Sequence, residues 1–248
     1  MNLIEVEGIK YEVGGETIID NLSFGAGKNE FVSIIGPSGC GKSTLLRIIA
    51  GLIKPEKGKV LFNGRKIDGP RREISFVFQD FALLPWLTNR ENVMLGLSSF
   101  EIDEEKKDEM AGSMLKEFGL GGFEDAYPNA LSGGMKQRVG VARALAQKPV
   151  VLLMDEPFSA LDELTANSMR REILETLRKK NLSVKLVIMV THNVEEAVLM
   201  SDRVIVLSDK PTKLKEIKII KIKQPRNRKG GEFGKAVDNI YAKLAAKS

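Results

Sequence analysis

A chain of 248 residues that is 43% hydrophobic, 29% charged and 6% aromatic has room for one large domain or two small ones and is too apolar to stay disordered. Folding removes roughly 70% of the unfolded surface from water at this size; no apolar run approaches the about 20 residues of a spanning helix, so a chain that crosses a membrane by itself is excluded. The formal net charge of +5 says little when taken whole, because it is unevenly distributed.

The chain opens Met-Asn-Leu-Ile-Glu-Val-Glu, with early acids and no basic leader, so no secretory signal is expected. Strand-sized apolar bursts follow at Leu3–Val6, Thr17–Ile19 and Phe31–Ile35, parted by Gly14-Gly15 and Gly25-Ala26-Gly27. After Gly36 the period becomes helical: Leu45, Leu46, Ile48, Ile49 and Leu52 share a stripe, and Pro55 bars continuation. Cys40 is the only cysteine, which excludes an internal disulfide and fits a reducing cytoplasm. Strands are expected at Lys59–Phe62 and Ile74–Phe78. From Phe81 to Gln147 the chain reads helical, with amphipathic helices at Glu104–Phe118 and Ser132–Gln147.

Val150–Met154 is wholly apolar, as a strand buried on both faces should be. A helix over Glu163–Lys180, a strand over Lys185–Val190, a helix over Val194–Met200 and a strand over Arg203–Leu207 complete the rhythm. This alternation predicts a mostly parallel sheet with helices on both faces. The expected organisation is a main unit over 1–209, with an α/β core at 1–80 and 148–209 and a helical subdomain at 81–147. Residues 210–248 form an extension, with an edge strand at Lys213–Lys223 and a helix at Glu232–Ala246. That extension holds 12 Lys and Arg against 3 Asp and Glu, whereas the rest holds 26 against 30. A solvated face, an acidic membrane surface and a nucleic acid all suit such a tail.

Three motifs carry chemistry. Gly36-Pro37-Ser38-Gly39-Cys40-Gly41-Lys42-Ser43-Thr44 is a GxxxxGK[ST] loop between a predicted strand and a predicted helix. Its glycines let backbone N–H groups curl around a polyphosphate, and the helix N-terminus adds partial positive charge. Lys42 is expected to reach the β- and γ-phosphates, Ser43 to offer its hydroxyl to Mg²⁺, and Thr44 to stabilise the turn. The apolar strand at Val150–Met154 delivers Asp155 and Glu156 at its C-terminal end, where parallel sheets bind ligands. Asp155 suits Mg²⁺, and Glu156 suits a group that orients or deprotonates an attacking water. Leu131-Ser132-Gly133-Gly134 opens a helix; a plain serine cap and an anion-binding tip both fit it.

A phosphate loop, then LSGG before a helix, then an apolar strand ending in Asp-Glu resembles the nucleotide-binding subunit of an ATP-binding cassette (ABC) transporter. The resemblance covers about residues 1–210. It implies a P-loop NTPase core with an N-terminal antiparallel β subdomain and an inserted α-helical subdomain. Gln79 matches the Q-loop glutamine, Ser159-Ala160-Leu161-Asp162 the D-loop, and His192, the only histidine, the switch histidine. Tyr11 matches the aromatic that stacks on adenine; a half-buried strand tyrosine fits the same position. Phe78-Gln79-Asp80, Leu83-Leu84-Pro85-Trp86-Leu87-Thr88, Glu91-Asn92-Val93 and Met135 are similar to the importers for nitrate, sulfonate, taurine and related solutes. So are Ser201-Asp202-Arg203-Val204, Pro211 and Gln224-Pro225-Arg226. Cys40 departs from the commoner serine, and a thiol reagent is expected to block the site there, with nucleotide protecting it.

The resemblance implies a head-to-tail homodimer formed on ATP binding. ATP and Mg²⁺ at Lys42, Ser43, Gln79 and Asp155 of one copy are closed over by Ser132, Gly133 and Gly134 of the other. Glu156 aligns water on the γ-phosphate, and His192 senses its loss. The partners implied are transmembrane permease subunits and, through them, an external solute-binding protein. The chain then sits at the cytoplasmic face of the membrane. The permease is expected near Pro85–Asn92, with Trp86 either anchoring it or packed inside the helical segment. A nucleic-acid-associated ATPase is the rival from another class, and an exporter-type or cell-division-type cassette is a second. The absence of a long heptad repeat and the confinement of positive charge to the tail argue against a nucleic acid partner. A regulatory subunit that does not hydrolyse ATP is disfavoured by intact Glu156 and His192.

Overall fold

The computed structural model describes residues 2–177 and 183–246. It divides into two compact units, residues 1–71 with 185–248, and residues 72–184.

The first unit begins with a hairpin of β1 (Asn2–Val13) and β2 (Glu16–Gly27). Gly14 and Gly15 take φ of 57° and 85° at its two-residue turn, the left-handed pair that matches strand twist. Both strands outrun the apolar bursts expected for them. In β1 only Leu3, Ile4, Val6 and Ile9 are buried, and Glu5, Glu7, Lys10 and Glu12 occupy open positions that hydrophobicity does not mark. β3 (Glu30–Ile35) leads into α1 (Lys42–Ile49). The helix stops well before Pro55, because Gly51 turns left-handed at φ 75° and the N–H of Leu52 returns to the carbonyl of Arg47. Leu52 is therefore off the stripe and 47% exposed. β4 (Lys57–Phe62) and β5 (Arg65–Lys66) complete an antiparallel sheet of order β2-β1-β4-β5.

The second unit starts with β6 (Ile74–Val77). The helical stretch follows as α2 (Asn89–Met94), α3 (Glu104–Glu117) and α4 (Gly133–Ala146). Thr88 and Glu91 close a reciprocal capping box at the start of α2, so this short helix has its N–H groups satisfied. β7 (Val151–Asp155) has every residue buried and runs parallel to β6, with Ile74 beside Val151 and Val77 beside Met154. α5 (Glu163–Leu177) follows; the end expected for it, 178–180, lies outside the described residues.

The chain then returns to the first unit with β8 (Leu186–Val190), α6 (Val194–Met200), β9 (Arg203–Leu207), β10 (Leu214–Ile219) and α7 (Gly231–Ala245). β3 is parallel to both β8 and β9, and β10 joins β9 antiparallel as an edge. The basic segment is thus folded onto the sheet. Phe233, Val237 and Ile240 of α7 pack with Val194, Ala197, Val198, Val204 and Val206 in one apolar cluster. Arg226 is 8% exposed, and its Nη1 donates to the carbonyls of Val198 (2.5 Å) and Ser201 (2.7 Å) at the C-terminal end of α6.

Candidate nucleotide site

The phosphate loop hangs between the buried strand β3 and α1. Gly39 and Gly41 adopt φ of 75° and 101°, where a side chain is strained. A Cβ on Gly41 would also meet Ile18 Cγ2 at 2.8 Å. Gly36 has little room either, with Cys40 Sγ at 3.0 Å and Leu207 Cβ at 3.1 Å from its notional Cβ. Pro37 is half-buried, Ser38 and Gly39 are exposed, and Ser43 and Thr44 lie half-buried in the first turn of α1. That turn carries no acidic residue, so its N–H groups and dipole favour an anion. Lys42 is 5% exposed, and its ammonium donates to the carbonyls of Gly36 (2.9 Å) and Pro37 (2.8 Å). The cation is held over the loop by neutral dipoles, leaving its charge unneutralised by those contacts.

Cys40 corrects one expectation. Its side chain is 2% exposed, and burial raises the thiol pKa, with nearby Lys42 opposing this only in part. A covered, protonated thiol is a poor target for the reagent expected to block the site. The carbonyl of the same residue accepts a hydrogen bond from Thr212, which is fully buried.

Tyr11 lies half-buried on β1 opposite Ile19, whose side chain comes within 3.7 Å of a notional Cβ on Gly41. His192 is exposed on the loop after β8. Since β8 is the parallel neighbour of β3, His192 and the phosphate loop leave the same end of adjacent strands. Asn193, next in sequence, caps α6 by accepting from the N–H of Glu196 at 3.0 Å. The structure thus groups Tyr11, residues 36–44 and His192 within the first unit.

In the second unit β7 ends at Asp155, 2% exposed, followed by Glu156, which takes the uncommon left-handed conformation at φ 44°. Its carbonyl accepts from Ser159 Oγ at 2.9 Å. Gln79 follows the parallel neighbour β6, is exposed, and points Nε2 at Ser159 Oγ from 3.4 Å. Asp162 is engaged at the start of α5: its carboxylate accepts from the N–H of Thr165 at 3.0 Å, and hydrogen bonds from Thr165 lower its pKa. Ser132 caps α4, accepting from the N–H of Met135 at 3.3 Å. Gly134 allows α4 to approach α5 closely, because a Cβ there would sit 2.6 Å from Thr165 Cγ2; Gly133 has Leu161 Cδ2 at 3.6 Å. The serine cap is therefore present, and Gly134 serves the close packing of α4 on α5.

Trp86 is 69% exposed, so it does not pack inside the helical segment. Sequence reasoning passed over Thr212 and Arg143, whose contacts to the loops join positions far apart in the chain. Thr212 and Cys40 are 172 residues apart. Only the hydrogen-bond appetite of a buried polar side chain could have flagged them.

Residues 19–159 match the ABC transporter family model. An uncharacterized ABC transporter ATP-binding protein of Methanocaldococcus jannaschii is 48% identical over 225 residues, covering 90% of this chain and 83% of that protein. An aliphatic sulfonates import ATP-binding protein of Bacillus cereus is 40% identical over 226 residues, covering 90% and 86%. Among solved structures, a dimeric post-hydrolysis ATP-binding cassette bound to ADP and Pi superposes with a TM-score of 0.77 at 33% identity, covering 89% of this chain and all of that one. With its α/β P-loop fold and phosphate loop, the chain belongs to the ABC transporter family and is one of its ATP-binding, ATP-hydrolysing subunits.

Proposed function

We propose that this subunit drives an importer for a small anionic or zwitterionic solute of the nitrate, sulfonate and taurine kind. The observation that carries the reading is the 40% identity, over most of both chains, to a subunit named for aliphatic sulfonate import. No helix of the described residues is long and apolar enough to cross a membrane. In this proposal permease subunits carry the solute and hold the chain peripherally at the cytoplasmic face. An external solute-binding protein delivers the solute to that permease. Exposed Trp86, on the loop after Gln79, is the proposed permease anchor.

In this reading the amides of residues 36–44 and Lys42 grip the triphosphate, and Tyr11 stacks on the base. The hydroxyl of Ser43, the amide oxygen of Gln79 and the carboxylate of Asp155 are an all-oxygen set, the kind Mg²⁺ prefers. Bound there, the metal ion neutralises phosphate charge. Glu156 holds and deprotonates the attacking water, and His192 contacts the γ-phosphate. Ser132, Gly133 and Gly134, with Asp162 in the adjoining loop, belong to the surface that covers the partner's nucleotide in a head-to-tail homodimer. Coverage excludes water and strengthens each charge interaction inside.

Reconstitution into liposomes with the cognate permease and binding protein tests this. Sulfonate, taurine or nitrate should stimulate ATP hydrolysis severalfold and appear inside the vesicles. Stimulation by none of them, with a chemically unrelated solute driving turnover, would overturn the solute class.

A further inference from the structure

The loop that carries Gln79 is held by a residue that no motif singled out. Phe81 and Ala82 both adopt left-handed backbone, at φ 64° and 45°. Neither is glycine, and such conformations are unfavourable and persist only where the surroundings impose them. The carbonyls of these two residues point at Arg143 of α4: Nη2 donates to Phe81 O at 2.8 Å and Nη1 to Ala82 O at 2.7 Å. The rigid guanidinium fork thus presents one terminal nitrogen to each of two successive carbonyls. α4 is fixed where Arg143 leaves it, because Gly96 touches it so closely that a Cβ would lie 2.2 Å from Arg143 O. Beneath the bend, Gly140 leaves a notional Cβ 3.5 Å from Phe81 O. The far end of the loop is held separately. Asn92 is fully buried; its Oδ1 accepts from Leu84 N at 2.8 Å, and its Nδ2 donates to Leu84, Leu87 and Thr88 carbonyls at 3.1, 3.2 and 2.9 Å.

We propose that Arg143 is the positioning residue for Gln79: its guanidinium, anchored in α4, imposes the left-handed bend at Phe81 and Ala82 and so fixes where Gln79 stands. α4 is also the helix that begins at Ser132, so the same clamp ties the serine-glycine tip to the glutamine loop. Desolvation of the half-buried guanidinium lowers its pKa, and the neighbouring Asp80 carboxylate opposes this only in part. The inference rests on the proposed role of Gln79 beside the nucleotide and its metal ion, and goes beyond it by naming what holds the glutamine.

The test uses the full chain with Arg143→Gln, Arg143→Lys, Arg143→Gln combined with Ala82→Gly, and Glu156→Gln. Turnover, ATP KM and amide deuterium exchange over residues 79–84 are measured well below the melting temperature. Arg143→Gln should lower kcat fivefold or more with ATP KM within twofold, and exchange over 79–84 should quicken at least fivefold while that of 136–142 stays unchanged. Arg143→Lys, serving one carbonyl at a time, should fall between. Glycine at position 82 removes the penalty of the bend and should recover at least twofold in kcat. If Glu156→Gln is inactive while Arg143→Gln keeps kcat and exchange within twofold of the parent, the clamp is refuted and the site stands. If Glu156→Gln retains parental turnover, the reading of the site itself fails. Should Arg143→Gln not fold, Arg143→Lys decides: kcat at least twofold below the parent with ATP KM within twofold supports the clamp, and parental kcat overturns it.

Discussion

Lys42 shows how a single residue can be prepared before its ligand arrives. A buried ammonium left without partners would be costly, and here Gly36 and Pro37 carbonyls satisfy it while leaving its charge available. Replacement by alanine removes that charge, and ATP affinity should fall tenfold or more, read by a fluorescent-nucleotide titration; unchanged affinity would count against the phosphate-loop role. Cys40 offers an opposite case. With its pKa raised by burial, less thiolate exists at a given pH than for a free cysteine, and the sulfur is covered. The native protein at pH 8 should therefore react with an aromatic disulfide reagent at least tenfold more slowly than the denatured chain, and equal rates would contradict the buried placement. The glycines at 39 and 41 were legible because a motif states the backbone they must adopt. The Thr212 contact to Cys40 and the Arg143 contact to Phe81 were not, because hydrogen bonds between distant positions leave no local pattern.

At the scale of elements, legibility followed burial on both faces. β7 and β8, every residue buried, stood out as apolar runs. β1 and β2 were cut short in the reading, since strands with one open face carry polar residues that hydrophobicity cannot distinguish from a turn. The end of α1 was set by a left-handed glycine where proline had been expected to set it. Charge marked the C-terminal segment as an extension, yet its apolar positions decide its place. Phe233 of α7 is 3% exposed in the cluster shared with α6 and β9. Truncating it should cost about 3–5 kcal/mol. Urea unfolding of Phe233→Ala followed by circular dichroism should show a clearly lowered midpoint; an unchanged midpoint would mean that α7 is not part of this core.

For the molecule as a whole, alternation of strands and helices pointed to a mostly parallel sheet, and the order of motifs pointed to the family, because both are written along the chain. Assembly is a different matter: it depends on which surfaces a second copy can cover. The tip of α4 bears an exposed Ser132 beside a half-buried Gly133 and a buried Gly134. If that tip closes on the nucleotide of another copy, hydrolysis is what separates the copies. Blocking hydrolysis while leaving binding intact should then trap the closed form. Glu156→Gln keeps the shape of the side chain and removes its basicity, so turnover should drop about a hundredfold or more while ATP still binds. Size-exclusion chromatography of this variant should show monomer without nucleotide and dimer with ATP. For the unmodified chain, specific activity should rise with protein concentration until most copies are paired. A monomeric Glu156→Gln profile in ATP, together with parental turnover that is flat across a hundredfold dilution, would mean that each copy cleaves ATP alone and that the serine-glycine tip serves α4 only as its cap.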